Sequence, residues 1–379
     1  MERLPVEVLS QIVGCLNFCD QLQLAKVCVR WRAAVRDCLQ RRQRLTAGDL
    51  KGKRCTDTLL RTLLPQLPAL RALRVAGYDL DIDIVSEHCR RLEEVDLSPF
   101  RLSEDALERL CQHCPRLSSV KLPESCEPLW PELVLRRLPD LRDLRLEHVH
   151  LTAATVTLLP AGLERLSLYA CQVPCGPRQP ADRWPRLTEL VLTLTSVDLD
   201  GDLTALLAGC PSLRRLQANC ADATDQLLKE LPGLKQLQTL DLSFCDDLTE
   251  AALVESLPRL RQLKSLNLCG VSSVTDTVLC SLTGAESLSE LTLGVEVYYQ
   301  SVDFTMDGLQ SLVVSCASLA TVVLMYWEGK DLEAIIRGLS AQLDPERRVT
   351  LTIDETMLEQ IDESVLPAAD SPLRIATFS

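Results

Sequence analysis

Leucine recurs along this chain as L-x-x-L-x-L, with Val sometimes taking a later position, and the first leucine of each copy falls at Leu70, Leu92, Leu117, Leu141, Leu163, Leu187, Leu213, Leu237, Leu263, Leu288 and Leu319. The spacings run 22, 25, 24, 22, 24, 26, 24, 26, 25 and 31 residues. In such a segment the fourth and sixth positions share one face and the third, fifth and seventh the other, the alternation of a strand. The fullest copies are Leu237–Leu253 (LQTLDLSFCDDLTEAAL) and Leu263–Leu279 (LKSLNLCGVSSVTDTVL). After the strand comes a turn, and Thr249-Glu250 or Thr275-Asp276 then opens a helix. A Thr N-cap with an acid behind it satisfies free helix amides and suits the helix dipole. Ser103-Glu104-Asp105, Thr224-Asp225 and Thr56-Asp57 repeat the signal. The last predicts an atypical starting unit near Leu45–Leu64 with no clear strand motif, as expected where an array begins.

A period of about 20 to 29 residues is the mark of a leucine-rich-repeat solenoid, in which each unit packs only on its neighbours. The pattern predicts an α/β fold of about 11–12 repeats over residues 45–353, with a curved parallel sheet inside and helices outside. A last strand is expected at Arg348–Ile353, followed by a C-terminal cap or tail over 354–379. Cysteine keeps the same period. It stands three residues before the first leucine at Cys89, Cys114, Cys210 and Cys316, and soon after the strand at Cys171, Cys220, Cys245 and Cys269. That placement favours packing at repeat corners over metal binding. Cys111-Gln112-His113-Cys114 could be half of a zinc site, but a matching second half is missing. His148 and His150 read as surface imidazoles. The unit resembles the cysteine-containing subclass of leucine-rich repeats, L-x-x-L-x-L-x-x-C-x-x-L-T-D/E-x-x-L. Leu237 to Leu253 matches it nearly throughout, while Cys171 to Arg183 is an insertion rich in Pro and Gly.

Residues 1–44 follow a different rhythm. Leu4, Val8, Leu9, Ile12, Val13 and Leu16 form one apolar stripe of a helix, with Pro5 suited to its first position. Asp20, with Gln23 three residues on, predicts the cap of a second helix, and a basic third helix is expected from about Trp31 to Arg44. Some forty residues with this much aliphatic surface cannot bury it internally, so the block either caps the solenoid or docks on another protein. Its order resembles the F-box, L-P-x-E-[IVL]-L-x-x-I-[FVL]-x-x-L and then L-x-x-[CL]-x-x-V-[CS]-x-x-W. Leu4-Pro5, Glu7-Val8-Leu9, Ile12-Val13, Leu16, Leu22, Val27-Cys28 and Trp31 fill those positions, and Ala25 departs from the usual Cys or Leu. The resemblance implies docking on the SKP-type adaptor of a cullin-RING ubiquitin ligase. Leu4, Pro5, Val8, Leu9, Ile12, Val13, Leu16, Leu22, Val27, Cys28 and Trp31 would be the contacts. With the repeats it implies the F-box/leucine-rich-repeat class of substrate receptors. Such a chain is the non-catalytic specificity subunit of an SCF (SKP-cullin-F-box) ligase, reaching cullin and RING protein through the adaptor. The alternative is a non-degradative repeat scaffold.

Charge and composition refine this picture. The N-terminus lacks a signal peptide's basic region and cleavage site, and no apolar run is long enough to span a membrane. The seventeen cysteines are therefore expected to stay reduced, in a protein of the cytoplasm, the nucleus or both. Of the net charge of −13, residues 1–54 carry +6, and residues 286–379 hold sixteen acids against five bases. Nucleic acid is an unsuitable ligand for the repeats, whereas a basic protein substrate would suit them. No phosphate-binding glycine motif or nucleophile elbow occurs, and no cofactor is expected. Substrate contacts are expected from outward strand positions such as Glu94, Asp96, Lys121, Asp143, Arg145, Tyr169, Asp241 and Glu290. Tyr298, Tyr299, Phe304, Tyr326 and Trp327 gather in and after the 31-residue repeat beside Met325, Asp303 and Asp307. They either anchor a basic substrate or seal the end of the array.

Overall fold

The structure, a computed structural model, describes residues 4–50, 54–124, 126–127, 129–173, 183–194, 196–197, 207–219, 223–294, 303–325, 329–368 and 370–378. The chain divides into two units, Met1–Leu163 and Glu164–Ser379. The first opens with three helices, α1 (Val6–Gly14), α2 (Phe18–Leu24) and α3 (Val29–Arg41). Five strands of a parallel sheet follow: β1 (Arg44–Thr46), β2 (Ala72–Arg74), β3 (Glu94–Asp96), β4 (Ser119–Lys121) and β5 (Asp143–Glu147). The second unit continues the pattern with β6 (Arg165–Tyr169), β7 (Glu189–Thr193), β8 (Arg215–Gln217), β9 (Thr239–Asp241) and β10 (Ser265–Asn267). It ends with β11 (Glu290–Gly294), β12 (Thr321–Met325), β13 (Val349–Asp354) and β14 (Leu373–Phe378).

Each of the eleven motifs starts its strand two residues after its first leucine, and neighbouring strands pair in one register. In the second unit Leu166, Leu190, Leu216, Leu240, Leu266, Leu291, Val322, Leu351 and Ile375 are level with one another. In the first unit Leu45, Leu73, Val95, Val120 and Leu144 form the matching row. Every one of these except Ile375 is buried, as are all eleven first leucines. Fully burying such a side chain contributes about 1.5–3 kcal/mol. Ala218 takes the sixth-position place in the repeat of Leu213 and is also buried.

The expected beginning and end of the array both change. Residues 45–64, read as an atypical starting unit with no clear strand motif, are preceded and entered by a strand all the same, since β1 pairs in parallel with β2 along all three of its residues. At the other end, residues 354–379 do more than cap. β14 pairs with β13 at six positions, from Val349↔Leu373 to Asp354↔Phe378. Arg347 also closes the helix Met306–Ser315, donating to the carbonyls of Val314 at 3.1 Å and Leu319 at 2.8 Å and to those of Val313 and Cys316. These carbonyls include ones that a helix end leaves without intrahelical partners.

The L-T-D/E-x-x-L segment acquires a double meaning. Its Thr is the N-cap, so its first and last leucines are the residue before the cap and the fourth helical residue. That pair packs as a hydrophobic staple fixing how the chain enters the helix. Leu248 with Leu253, Val274 with Leu279 and Cys55 with Leu60 occupy those places, and all six are buried. Thr249 and Ser103 accept the amides of Ala252 and Ala106, each at 3.3 Å. Thr224 and Thr275 stand at the same position but make no side-chain cap bond. The acid behind the cap serves the next repeat instead. The Asp225 carboxylate accepts from the amide and hydroxyl of Thr249 at 2.9 and 2.8 Å. Asp276 does the same for Thr305 at 2.7 and 2.8 Å. A Cβ on Gly308 would lie 2.0 Å from an Asp276 oxygen, so glycine there leaves room for the clasp. In the first unit Asp83 binds Arg109 at 3.0 and 2.8 Å, which holds the Asp83 carboxyl below its ordinary range.

The periodic cysteines also link repeats. Cys114 donates to the carbonyl of Cys89 at 3.3 Å and Cys245 to that of Ala218 at 2.9 Å. Burial pushes the thiols of Cys89, Cys111 and Cys210 up to about 12 and that of Cys114 to about 11. Thiols so placed are inert packing groups, because reactivity belongs to the thiolate. His113 of the CQHC segment has its Nδ1 2.8 Å from the Arg109 carbonyl. His148 and His150 are exposed on either side of buried Val149, as expected.

Two outcomes follow. Asp225→Ala should lower stability to urea by about 1 kcal/mol, the scale of a charge-assisted bond at a partly exposed site, while Asp225→Asn keeps part of it. Brief iodoacetamide treatment at pH 8, read by mass spectrometry, should modify exposed Cys15, Cys28 and Cys280 and spare Cys89, Cys111, Cys114 and Cys210 until urea unfolds the chain.

Candidate docking surfaces

The apolar stripe of α1 divides between two uses. Leu9 and Val13, expected on the docking ridge, instead point into the three-helix core with Phe18, Ala34, Val35 and Leu39. The physical reason is that α1 packs chiefly against α3. One side of the stripe must then fill their shared interior. Gln21 is buried there and donates to the carbonyls of Val13 and Leu16, both at 2.9 Å, satisfying the end of α1. The second helix starts earlier than expected, because Asn17 rather than Asp20 is its cap and accepts the Asp20 amide at 3.0 Å.

What remains outside is a ridge. Ile12 is 40% exposed and Val27 67%, while Pro5 and Cys28 are exposed as well. Leu4, Val8, Leu16, Leu22 and Trp31 are half-buried at its margins. Val29, at 76%, is the most exposed large apolar residue of this block and was missed from the sequence. The consecutive Val27-Cys28-Val29 at the α2–α3 junction was the available signal. Arg30 donates to the Leu4 carbonyl and Arg32 to that of Ala25 at 3.2 Å, fixing the chain on either side of the ridge. Arg42 joins the block to the first strand. Its guanidinium lies 4.9 Å from the Phe18 ring centre, pairs with Asp49 and donates to the Arg44 carbonyl at 2.9 Å.

On the sheet of the first unit, outward charges largely neutralise one another. Arg74 pairs with Glu94, Lys121 with Glu147 at 2.8 Å, and Arg145 with Asp143 at 3.5 Å. Asp143, expected as an accessible contact, is only 2% exposed, because Ser119 also donates to it at 3.2 Å. In the second unit Ser167, Val191, Gln217, Asp241, Asn267 and Thr292 form an outward row of partly exposed, mostly uncharged side chains.

The aromatic zone is only partly in view. Tyr298, Tyr299, Tyr326 and Trp327 lie outside the described residues. Phe304, expected to offer its ring to a partner, is instead 5% exposed. It precedes the Thr305 cap and takes the staple position opposite Leu309. Asp303 and Asp307 are exposed at the start of that helix, with Asp303 bridging Thr275 through the backbone. Met325 ends β12 and is half-buried. No helix among the described residues is long and apolar enough to cross a membrane, and they hold no cluster of three His, Cys, Asp or Glu able to take a metal.

Comparison with known proteins places these features. The model of the F-box-like family matches residues 1–46. Protein ARABIDILLO 1 of Arabidopsis thaliana is 26% identical over 158 residues, which is 37% of this chain and 16% of that protein, so the match spans a small part of the relative. Among solved structures, yeast Rad7 in the Rad7–Elc1 complex superposes with a TM-score of 0.55 at 17% identity, covering 98% of this chain and 90% of that one. An internalin (InlF) of Listeria monocytogenes gives 0.51 at 16% identity, covering 98% and 97%. The chain thus carries an F-box-like domain at its N-terminus and continues as a leucine-rich-repeat α/β fold with fourteen parallel strands among its described residues.

Proposed function

We propose that this chain is the substrate-recognition subunit of an SCF-type ubiquitin ligase, its N-terminal helices docking on a SKP-type adaptor and its repeats holding a protein substrate. The observation that carries the reading is the ridge of Pro5, Ile12, Val27, Cys28 and Val29, left open to solvent on an F-box-like domain whose own core is already filled by Leu9, Val13 and Phe18. Aliphatic anchors of this kind are desolvated in a partner's groove, with polar neighbours forming the rim. Rad7, similar in fold, was crystallised in complex with Elc1, and a partner-bound state of that sort fits the ridge. The chain's part in the reaction is to raise the local concentration of a substrate lysine near charged ubiquitin brought by cullin and RING protein. It needs no nucleophile of its own, and the strongly raised buried thiols offer none.

The second unit holds 31 acidic against 16 basic residues, a net of −15, and the first holds 22 against 24, a net of +2. That imbalance supports a basic protein substrate over nucleic acid. Asp303 and Asp307, with Met325 and the aromatics Tyr298, Tyr299, Tyr326 and Trp327, remain part of the proposed capture surface.

Adaptor pull-down tests the docking half. Ile12→Asp and Val29→Asp should each reduce adaptor retention by roughly 30-fold, the scale of a hot-spot residue, while circular dichroism and melting stay as in the wild type. Leu9→Asp should lower the melting temperature as well, because it buries a charge. Undiminished retention by both surface variants, or none by the wild type, would favour the non-degradative scaffold.

A further inference from the structure

The position just after the first leucine of each motif changes its charge pattern along the array. In the first unit Arg71 and Glu93 hold it in neighbouring repeats and pair at 2.6 Å. In the second unit Arg214, Gln238 and Lys264 hold it, directly before β8, β9 and β10. Strand pairing sets Arg215, Thr239 and Ser265 level. The bonds before the strands keep that register, because the Gln238 amide donates to the Arg214 carbonyl and the Lys264 amide to the Gln238 carbonyl, both at 2.8 Å. At about 4.8 Å per strand, Arg214 and Lys264 stand roughly 10 Å apart along the row. The segments that form this edge, 209–215, 231–239 and 257–265, all lie among the described residues.

These three segments carry Arg214, Arg215, Lys235, Arg259, Arg261 and Lys264, all exposed, and no acid. The unit around them holds 31 acids against 16 bases, so the strip has the sign opposite to its surroundings. Lys235 and Arg261 take matching places in adjacent repeats. Each follows a Leu-Pro-x-Leu turn that the Leu234 or Leu260 amide closes on the Leu231 or Leu257 carbonyl. Arg259 pairs with Glu255 at 3.1 Å. Among the described residues the other five form no ion pair and donate no side-chain hydrogen bond. Like charges at matching places on neighbouring strands oppose one another. The fold gains nothing local in return for them. Acids bound the strip on either side, Glu189 being level with Arg215 and Glu290 with Ser265. Glu230 and Glu255 precede it on the helices.

Charge and size select the occupant. A guanidinium offers a carboxylate two parallel N–H bonds, and the exposed amides of Gln236 and Gln262 add further donors beside Lys235 and Arg261. A row of roughly 10 Å matches about three residues of extended chain. Nucleic acid suits the strip less well. The three segments hold no aromatic side chain on which a base could stack, and a longer polyanion would run onto Glu189 or Glu290. We propose that the strip of Arg214, Lys235, Arg261 and Lys264 binds a short acidic segment of a partner protein, carrying consecutive or alternate Glu or Asp. The site is separate from the acidic surface proposed for a basic substrate, and it stands whether or not the chain serves a ligase.

The test uses the full chain and fluorescein-labelled synthetic probes followed by anisotropy. One peptide alternates Glu with Ser, a second has Gln in place of Glu, and a single-stranded oligodeoxythymidylate of similar length is the third probe. The Glu peptide should bind the wild type at least about tenfold more tightly than either control, and should bind about tenfold more weakly when salt rises from about 50 to 300 mM. Arg261→Glu with Lys264→Glu should abolish that binding. The neutral pair Arg261→Gln with Lys264→Gln should weaken it about fivefold and leave the melting temperature unchanged, since both side chains are exposed and unpaired. Undiminished binding by these variants, absence of binding by the wild type, or tighter binding of the oligonucleotide would each overturn the assignment. So would self-association of the wild type that both pairs remove, because the strip would then serve a second copy of the chain. Adaptor retention, measured separately with Ile12→Asp, reports on the receptor reading alone.

Discussion

The structure depends on the stacking of inward aliphatic side chains between level positions of successive parallel strands. A strand of three to five residues cannot bury Leu240 or Leu266 by itself, and only the rows before and after close over them. Every repeat is therefore stabilised by its neighbours, and the ends of the row become the places where the rule must be broken. At the start, Arg42 spans Phe18, Asp49 and Arg44 to seat the helical block against β1. At the finish, β14 extends the ladder and the half-buried Arg347 satisfies carbonyls around the helix Met306–Ser315.

Two of the helices are tied to the next repeat through a second device, the carboxylate behind the cap. Had Asp225 and Asp276 merely favoured the helix dipole, their interaction would be local and worth a few tenths of a kcal/mol to about 1 kcal/mol. By accepting from the next repeat's Thr249 and Thr305 they make the position of one helix depend on another. The buried cysteines play a related part, since Cys114 and Cys245 donate to carbonyls of the preceding repeat. Sequence period and spatial period are tied together by these bonds, which explains why Cys and Thr-Asp recur in step with leucine.

This also explains what the sequence makes legible. Leu-x-x-Leu-x-Leu reports burial directly, so all eleven strands could be placed from it. β1 and β14 could not, because Arg44–Thr46 and Leu373–Phe378 carry no such motif and become strands only by pairing with β2 and β13. The helical block illustrates the other limit. Periodicity identifies an apolar stripe on α1 without saying which half faces inward. The packing of α3 decides that Leu9 and Val13 are core while Ile12 is surface. Phe304 shows the same ambiguity: an aromatic beside acids reads as an anchor until its place before the Thr305 cap makes it a staple.

Residues that a fold needs can be separated from residues it merely tolerates by asking whether burial offsets what the backbone imposes. Val274 and Leu248 satisfy that test, since each enters a helix and disappears into the core. Ile12, Val27 and Val29 stay exposed in the helical block, and Leu194 and Phe244 stay exposed at left-handed turns of the second unit. At Leu194 the discrepancy is largest, because a left-handed backbone and an exposed side chain both argue for glycine and the chain has leucine. The first group lies in a unit with a net charge of +2 and the second in one with −15, so the two stand in different electrostatic surroundings.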